Sequence, residues 1–123
     1  MPQVQPRDLL VILRRGPHGS SQLREGLDTA LVAAAFGRTV TLLFMGEGVT
    51  ALVAGQKAGP LGQKGTSATL EMLEMYDIDR LLVEASALEQ FGLVEDDLML
   101  KATAIPQASI ALEPESHRLV LVF

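Results

Sequence analysis

Cysteine and tryptophan are both missing from the 123 residues. Without cysteine there is no disulfide and no thiolate, so the chain has no sulfur nucleophile of its own. A chain without disulfides fits a cytoplasmic setting. Aromatic residues make up only 4%, which leaves Leu, Val, Ala and Ile to build the core. Positive charge is also scarce: 10 Lys and Arg face 15 Asp and Glu, a net charge of −5. A stand-alone nucleic-acid binder needs cations to displace counterions, so the chain is a poor one by itself, and a complex whose other chains touch RNA stays open to it. No apolar run reaches the roughly 18 residues of a membrane span. Met1 to Arg7 holds two prolines and no apolar stretch of the kind found in signal peptides. Only two histidines occur, His18 and His117, far apart and without ligand spacing, so no metal site is expected.

What the chain does have is apolar content. The fraction is 48% and the mean hydropathy +0.28. That suits a parallel sheet buried on both faces, and equally a subunit that hides apolar surface against a neighbour. The length fits one domain spanning residues 1–123.

Several unbroken apolar runs read as buried strands: Asp8 to Leu13, Thr39 to Met45, Leu81 to Val83, a fourth near Leu98 to Ala102, and Leu119 to Phe123. Between them, Gln22 to Phe36 carries Leu23, Leu27, Ala30, Leu31 and Ala34 at helical spacing and ends at Gly37. Shorter helical stretches are expected at Val49 to Ala54, Thr66 to Tyr76 and Ser86 to Phe91, with a last one opened by Pro106 in its first turn and running to Leu112. Gly55 to Gly65 reads as a loop. This alternation indicates an α/β sandwich with a mainly parallel sheet of about five strands and helices on both faces. The functional edge of such a fold lies at the C-terminal ends of the strands, where loops should begin at Arg14, Gly46, Glu84 and Thr103.

The loop from Gly16 to Ser21 combines a glycine turn with a helix start. Backbone N–H groups, Arg15, His18, Gly19, Ser20 and Ser21 there form a candidate anion site, and a plain turn with a serine cap explains the same residues. Gly46-x-Gly48-x-x-Ala51 follows a strand but opens too short a helix for a dinucleotide fold. Gly59 to Thr66 lacks the hydroxyl residue after Lys64 and the preceding strand of a phosphate loop. Ser20, His18 and Asp28 lack the elbow of a hydrolase nucleophile. Glu71, Glu74, Asp77 and Asp79 read as a solvated helix face and turn. Gly26 is different. Glycine within a helix costs about 1 kcal/mol relative to alanine, and with Ala30 and Ala33 it forms a small-residue stripe. The stripe admits close approach of another backbone, from a second subunit or from the same domain.

Together, Pro17-His18-Gly19-Ser20, Arg24-Glu25-Gly26-Leu27-Asp28, Gly48-Val49, Gly55-Gln56, Tyr76-Asp77-Ile78-Asp79, Ser86 to Leu88 with Gly92-Leu93, and the terminal Val-Leu-Val-Phe carry a resemblance. In register over nearly the whole chain, they resemble the TusC/DsrF branch of the DsrE/F/H family. The resemblance implies a three-layer α/β/α domain that assembles with TusB/DsrH-like and TusD/DsrE-like paralogues, two copies of each in a heterohexamer. It implies persulfide relay toward tRNA wobble 2-thiouridine, or the related role in sulfur oxidation, with tRNA contacted only indirectly. In this family the TusD/DsrE-type subunit carries the relay cysteine after the third strand. The corresponding place here is Val83 and Glu84, so the resemblance implies a non-catalytic subunit without cofactor. A stand-alone anion or small-molecule binder, or a homo-oligomer, are the other readings.

Overall fold

The computed structural model describes residues 6–16, 21–53 and 67–123. In chain order it holds β1 (Arg7–Leu13), α1 (Gln22–Ala35), β2 (Val40–Phe44), a 3-10 segment (Gly46–Leu52), α2 (Ser67–Met75), β3 (Arg80–Glu84) and α3 (Ala85–Gln90). Then come a 3-10 turn (Glu95–Asp97), β4 (Thr103–Ile105), α4 (Gln107–Leu112), a second turn (Glu113–Ser116) and β5 (His117–Val122). The strands lie in the order β4-β3-β2-β1-β5, and every pair is parallel. Strand β2 has a neighbour on each side and all five of its residues are buried, which is why it reads as a continuous apolar run and not as an alternation.

The pleat divides the core in two. Leu9, Val11 and Leu13 point to one face with Leu42, Phe44 and Val83, where Leu23, Leu27 and Ala30 of α1 and Leu70 and Leu73 of α2 cover them. Leu10, Leu43 and Leu82 point to the other face, under Ile110 of α4. These are the expected three layers, with a much smaller helical layer on the α4 side. The last turn of α1 closes with Gly37 at φ +83°, and the amides of Gly37 and Arg38 donate to Ala34 and Ala33 carbonyls. After α2 the same left-handed position is taken by Asp77 at φ 62°, a residue type that tolerates it.

Three expectations shift. The apolar run Leu98 to Ala102 is not the fourth strand. Leu98 makes only an isolated antiparallel bridge to Val53, and the Met99 amide donates to the Leu52 carbonyl at 2.7 Å. The ladder to β3 starts at Thr103, and the loop expected there begins instead at Pro106. Pro106 is the residue before α4, its carbonyl accepting from Ser109 and Ile110. The helical stretch after β2 begins at Gly46 and is 3-10 in its hydrogen bonding.

Candidate functional site

In an all-parallel sheet the C-terminal ends of all strands share one edge. Here that edge is tied together by backbone and by one carboxylate. Arg14 N–H donates to the Phe123 carbonyl, Phe123 N–H to Ile12, and Met45 N–H to Leu13, all within 3.0 Å. Glu84 ends β3. Its Oε1 accepts from the Gly46 amide at 2.9 Å, and its Oε2 accepts from Gln107 Nε2 at 2.6 Å. Gln107 also reaches Ser86 Oγ at 3.1 Å. One side chain therefore links the turn after β2, the end of β3 and the first residue of α4. A carboxylate accepting two hydrogen bonds is a firm clamp, and both of its oxygens are already engaged.

The turn after β2 is held in by Gly48. A Cβ there would overlap the Leu13 carbonyl oxygen, which is backbone and cannot move aside cheaply. Beside it, a cleft of about 410 Å³ opens between Arg14, Arg15, Gln22, Glu47, Val122 and Phe123. Arg15 of the candidate anion site lines this cleft. Ser21 caps α1 only through its carbonyl, which accepts from the Glu25 amide at 2.9 Å. Its hydroxyl donates to Glu25 Oε1 at 3.1 Å instead of to a backbone amide. A carboxylate in the first turn of α1 competes with an incoming anion for that positive helix end. His18, Gly19 and Ser20 lie outside the described residues. Glu47 belongs to the cleft without having stood out in the sequence, and Arg14 stood out only as the start of a loop, because only the sheet brings the ends of β1 and β2 together.

The small-residue stripe turns inward. Gly26 and Ala30 are buried, and a Cβ on Gly26 would overlap Leu13 Cδ2 and sit 3.0 Å from Phe123 Cδ2. Ala33 packs half-buried against the same core. The close approach that Gly26 permits is made by the domain's own β1 and C-terminal residue. The other histidine, His117, is a core residue. Its Nδ1 meets the Glu113 carbonyl at 2.9 Å and its Nε2 meets Thr41 Oγ1 at 2.8 Å. A carbonyl can only accept, so Nδ1 carries the hydrogen in the contact with Glu113. Among the described residues no group of His, Asp and Glu could hold a metal ion. At the edge of the sheet, the Thr39 amide donates to Asp8 Oδ2 at 2.9 Å. That bond is the leading cause holding the Asp8 carboxyl below its ordinary range, with smaller help from Arg38 and Arg118.

Chemically, the strand-end site can clamp loops and offer a cleft with two arginines, Arg14 and Arg15, in its lining beside Glu47. It has no group that can carry sulfane sulfur, because the end of β3 holds a hydrogen-bonded carboxylate and the chain contains no cysteine.

Comparison with known proteins fits this geometry. The sequence model described as the DsrE/DsrF-like family matches residues 7–114. A "Protein TusC homolog" from Vibrio parahaemolyticus is 36% identical over 97 residues, covering 79% of this chain and 82% of that protein. One from Pseudomonas aeruginosa is 36% identical over 104 residues, covering 85% and 87%. Among solved structures, the ychN protein from E. coli superposes with a TM-score of 0.83 at 21% identity, over 95% of this chain and 99% of that one, a likeness of fold. By sequence over most of its length and by fold, the chain belongs to the DsrE/DsrF-like family, in its TusC/DsrF branch.

Proposed function

We propose that this chain is the non-catalytic TusC/DsrF-type subunit of a cytoplasmic sulfur-relay complex, acting in tRNA wobble 2-thiouridine synthesis. The observation that carries the reading is the C-terminal end of β3. A Glu84 clamp stands there in a cysteine-free chain whose relatives are named TusC homologues. The chain's part in the relay is then to hold partner subunits, with a partner's cysteine carrying the persulfide. The partners are TusB/DsrH-like and TusD/DsrE-like paralogues in a heterohexamer.

The surface supports a subunit role. On β5, which borders the sheet, Leu119 is 54% and Val122 56% exposed, and Leu112 of α4 is 62% exposed. Apolar side chains along an open strand edge are a liability unless something covers them. None of the described helices is long and apolar enough to cross a membrane.

The experiment is co-expression with TusB- and TusD-type chains, native mass spectrometry, and incubation with a cysteine desulfurase and radiolabelled cysteine sulfur. The expected result is a mixed complex with reductant-sensitive label on the TusD-type subunit alone. Separate chains, or stable label on this chain, overturn the reading. Loss of tRNA 2-thiolation on deletion assigns the pathway, and intact thiolation with impaired sulfur oxidation assigns the complex to the related one. The arginine cleft at Arg14 and Arg15 favours a second reading, a stand-alone anion-binding domain. Saturable stabilisation of the lone chain by sulfate over chloride at equal ionic strength would support it.

A further inference from the structure

The ladder between β3 and β4 runs only from Leu82–Thr103 to Glu84–Ile105, so Arg80 and Leu81 have no β4 partner. Where the two strands part, a cleft of about 570 Å³ opens at the N-terminal edge of the sheet, opposite the strand-end site. That volume falls within the roughly 300–1,000 Å³ of small-molecule sites. Leu73, Ile78 and Leu100 give it apolar walls. Both signs of charge also line it: Arg7 and Lys101 on one count, Glu74 and Asp79 on the other. Among the described residues none of these four has an ion-pair partner. Arg80, which also lines the cleft, is already neutralised by Glu113. Glu74 sits in the last turn of α2, where the negative end of the helix dipole adds to its attraction for a cation.

Two cations and two carboxylates without an ion-pair partner among the described residues, around apolar walls, do not suit a simple anion, which the carboxylates repel, or a simple amine, which the cations repel. They suit a molecule that brings both charges and an apolar body. We propose that this cleft binds a small apolar zwitterion, an α-amino acid with an aliphatic side chain. Its ammonium is taken by the carboxylates of Glu74 and Asp79, its carboxylate by a cation of the lining, Lys101 beside β4 or Arg7 on β1, and its side chain packs on Leu73, Ile78 and Leu100. This site is independent of the sulfur-relay reading, since it lies at the other edge of the sheet and uses none of the strand-end residues.

The test uses the full chain and three probes of one carbon skeleton: L-leucine, 4-methylpentanoate without the ammonium, and 3-methylbutylamine without the carboxylate. Titrations are followed by amide chemical shifts at constant ionic strength. Leucine should give saturable shifts around Leu100–Thr103 and α2, and each single-charge analogue should bind at least about tenfold more weakly, as loss of one charged hydrogen-bonding partner implies. Lys101→Ala and Glu74→Ala, neither of which breaks an ion pair among the described residues, should each weaken leucine by a similar factor while the thermal transition is kept. The proposal is overturned if leucine gives no saturable shift, if either analogue binds as tightly as leucine, or if both variants bind leucine like the parent chain.

Discussion

Gly48→Ala tests whether the turn after β2 requires backbone contact with β1. The 48 position does not have a left-handed φ, so a methyl group is opposed only by what it touches. It touches the Leu13 carbonyl oxygen and then the Leu13 carbonyl carbon. That oxygen is itself held by the Met45 amide at 2.9 Å, so moving it loosens the join between β1 and β2. Overpacking a tight core site costs about 1–3 kcal/mol, and a backbone obstacle places this one at the upper end. Replacing glycine restores about 0.4–1 kcal/mol by restricting the unfolded chain, for a net loss of about 2 kcal/mol. With unfolding entropy near 2.1 cal/mol/K per residue, a chain of 123 residues loses about 8 °C in Tm. Calorimetry or circular dichroism melts measure it, with Gly26→Ala as the companion. At Gly26 the overlapping atom is Cδ2 of a side chain, which can turn away, and alanine regains helix propensity there. Gly26→Ala should therefore cost clearly less than Gly48→Ala. An unchanged or raised Tm for Gly48→Ala, or a larger loss for Gly26→Ala, would refute the claim that backbone contact is what requires glycine at 48.

Gly26→Leu forces a large side chain onto Leu13 and Phe123, so it should lower the stability of the lone chain by more than about 3 kcal/mol in denaturant titrations; full stability with lost assembly would instead place the stripe at a subunit contact. Glu84→Ala removes the acceptor from the Gly46 amide and from Gln107, at a cost of about 1–3 kcal/mol, and amide exchange at Gly46 should rise with it; Glu84→Gln keeps an acceptor for Gly46 and should lose less. Asp8 has a carboxyl pKa lowered from 3.8, so its contribution is present above pH 3.8 and is lost as pH falls below it through the folded-state value. Acid unfolding of Asp8→Asn should therefore be less steep in that range, and a superimposable acid transition would contradict the assignment.

The strands and the main helix were legible in the sequence because their signals are local. Continuous runs such as Val40–Phe44 mark strands buried on both faces, and the spacing of Leu23, Leu27 and Ala30 marks one face of α1. Leu98 to Ala102 misled for the same reason: an apolar run shows that a segment is covered, without showing by what. In the fold it packs on the 3-10 segment through Leu52 and Val53, and the edge strand forms five residues later at Thr103.

The candidate site divides along the same line. The absence of cysteine, and with it the exclusion of covalent sulfur carriage, is a property of composition alone. The alternation of strands and helices determined the layered fold and the edge at which its loops gather. That Glu84 clamps Gly46 and Gln107, 38 and 23 residues away in the chain, was decided only by the tertiary structure. So was the fact that Gly26 and Gly48 both close on Leu13, and that Arg7 and Lys101 line one cleft. Periodicity reports which way a side chain faces relative to its own backbone. Which distant group it meets depends on strand order and register, and those are set by the sum of many long-range contacts that no single segment encodes.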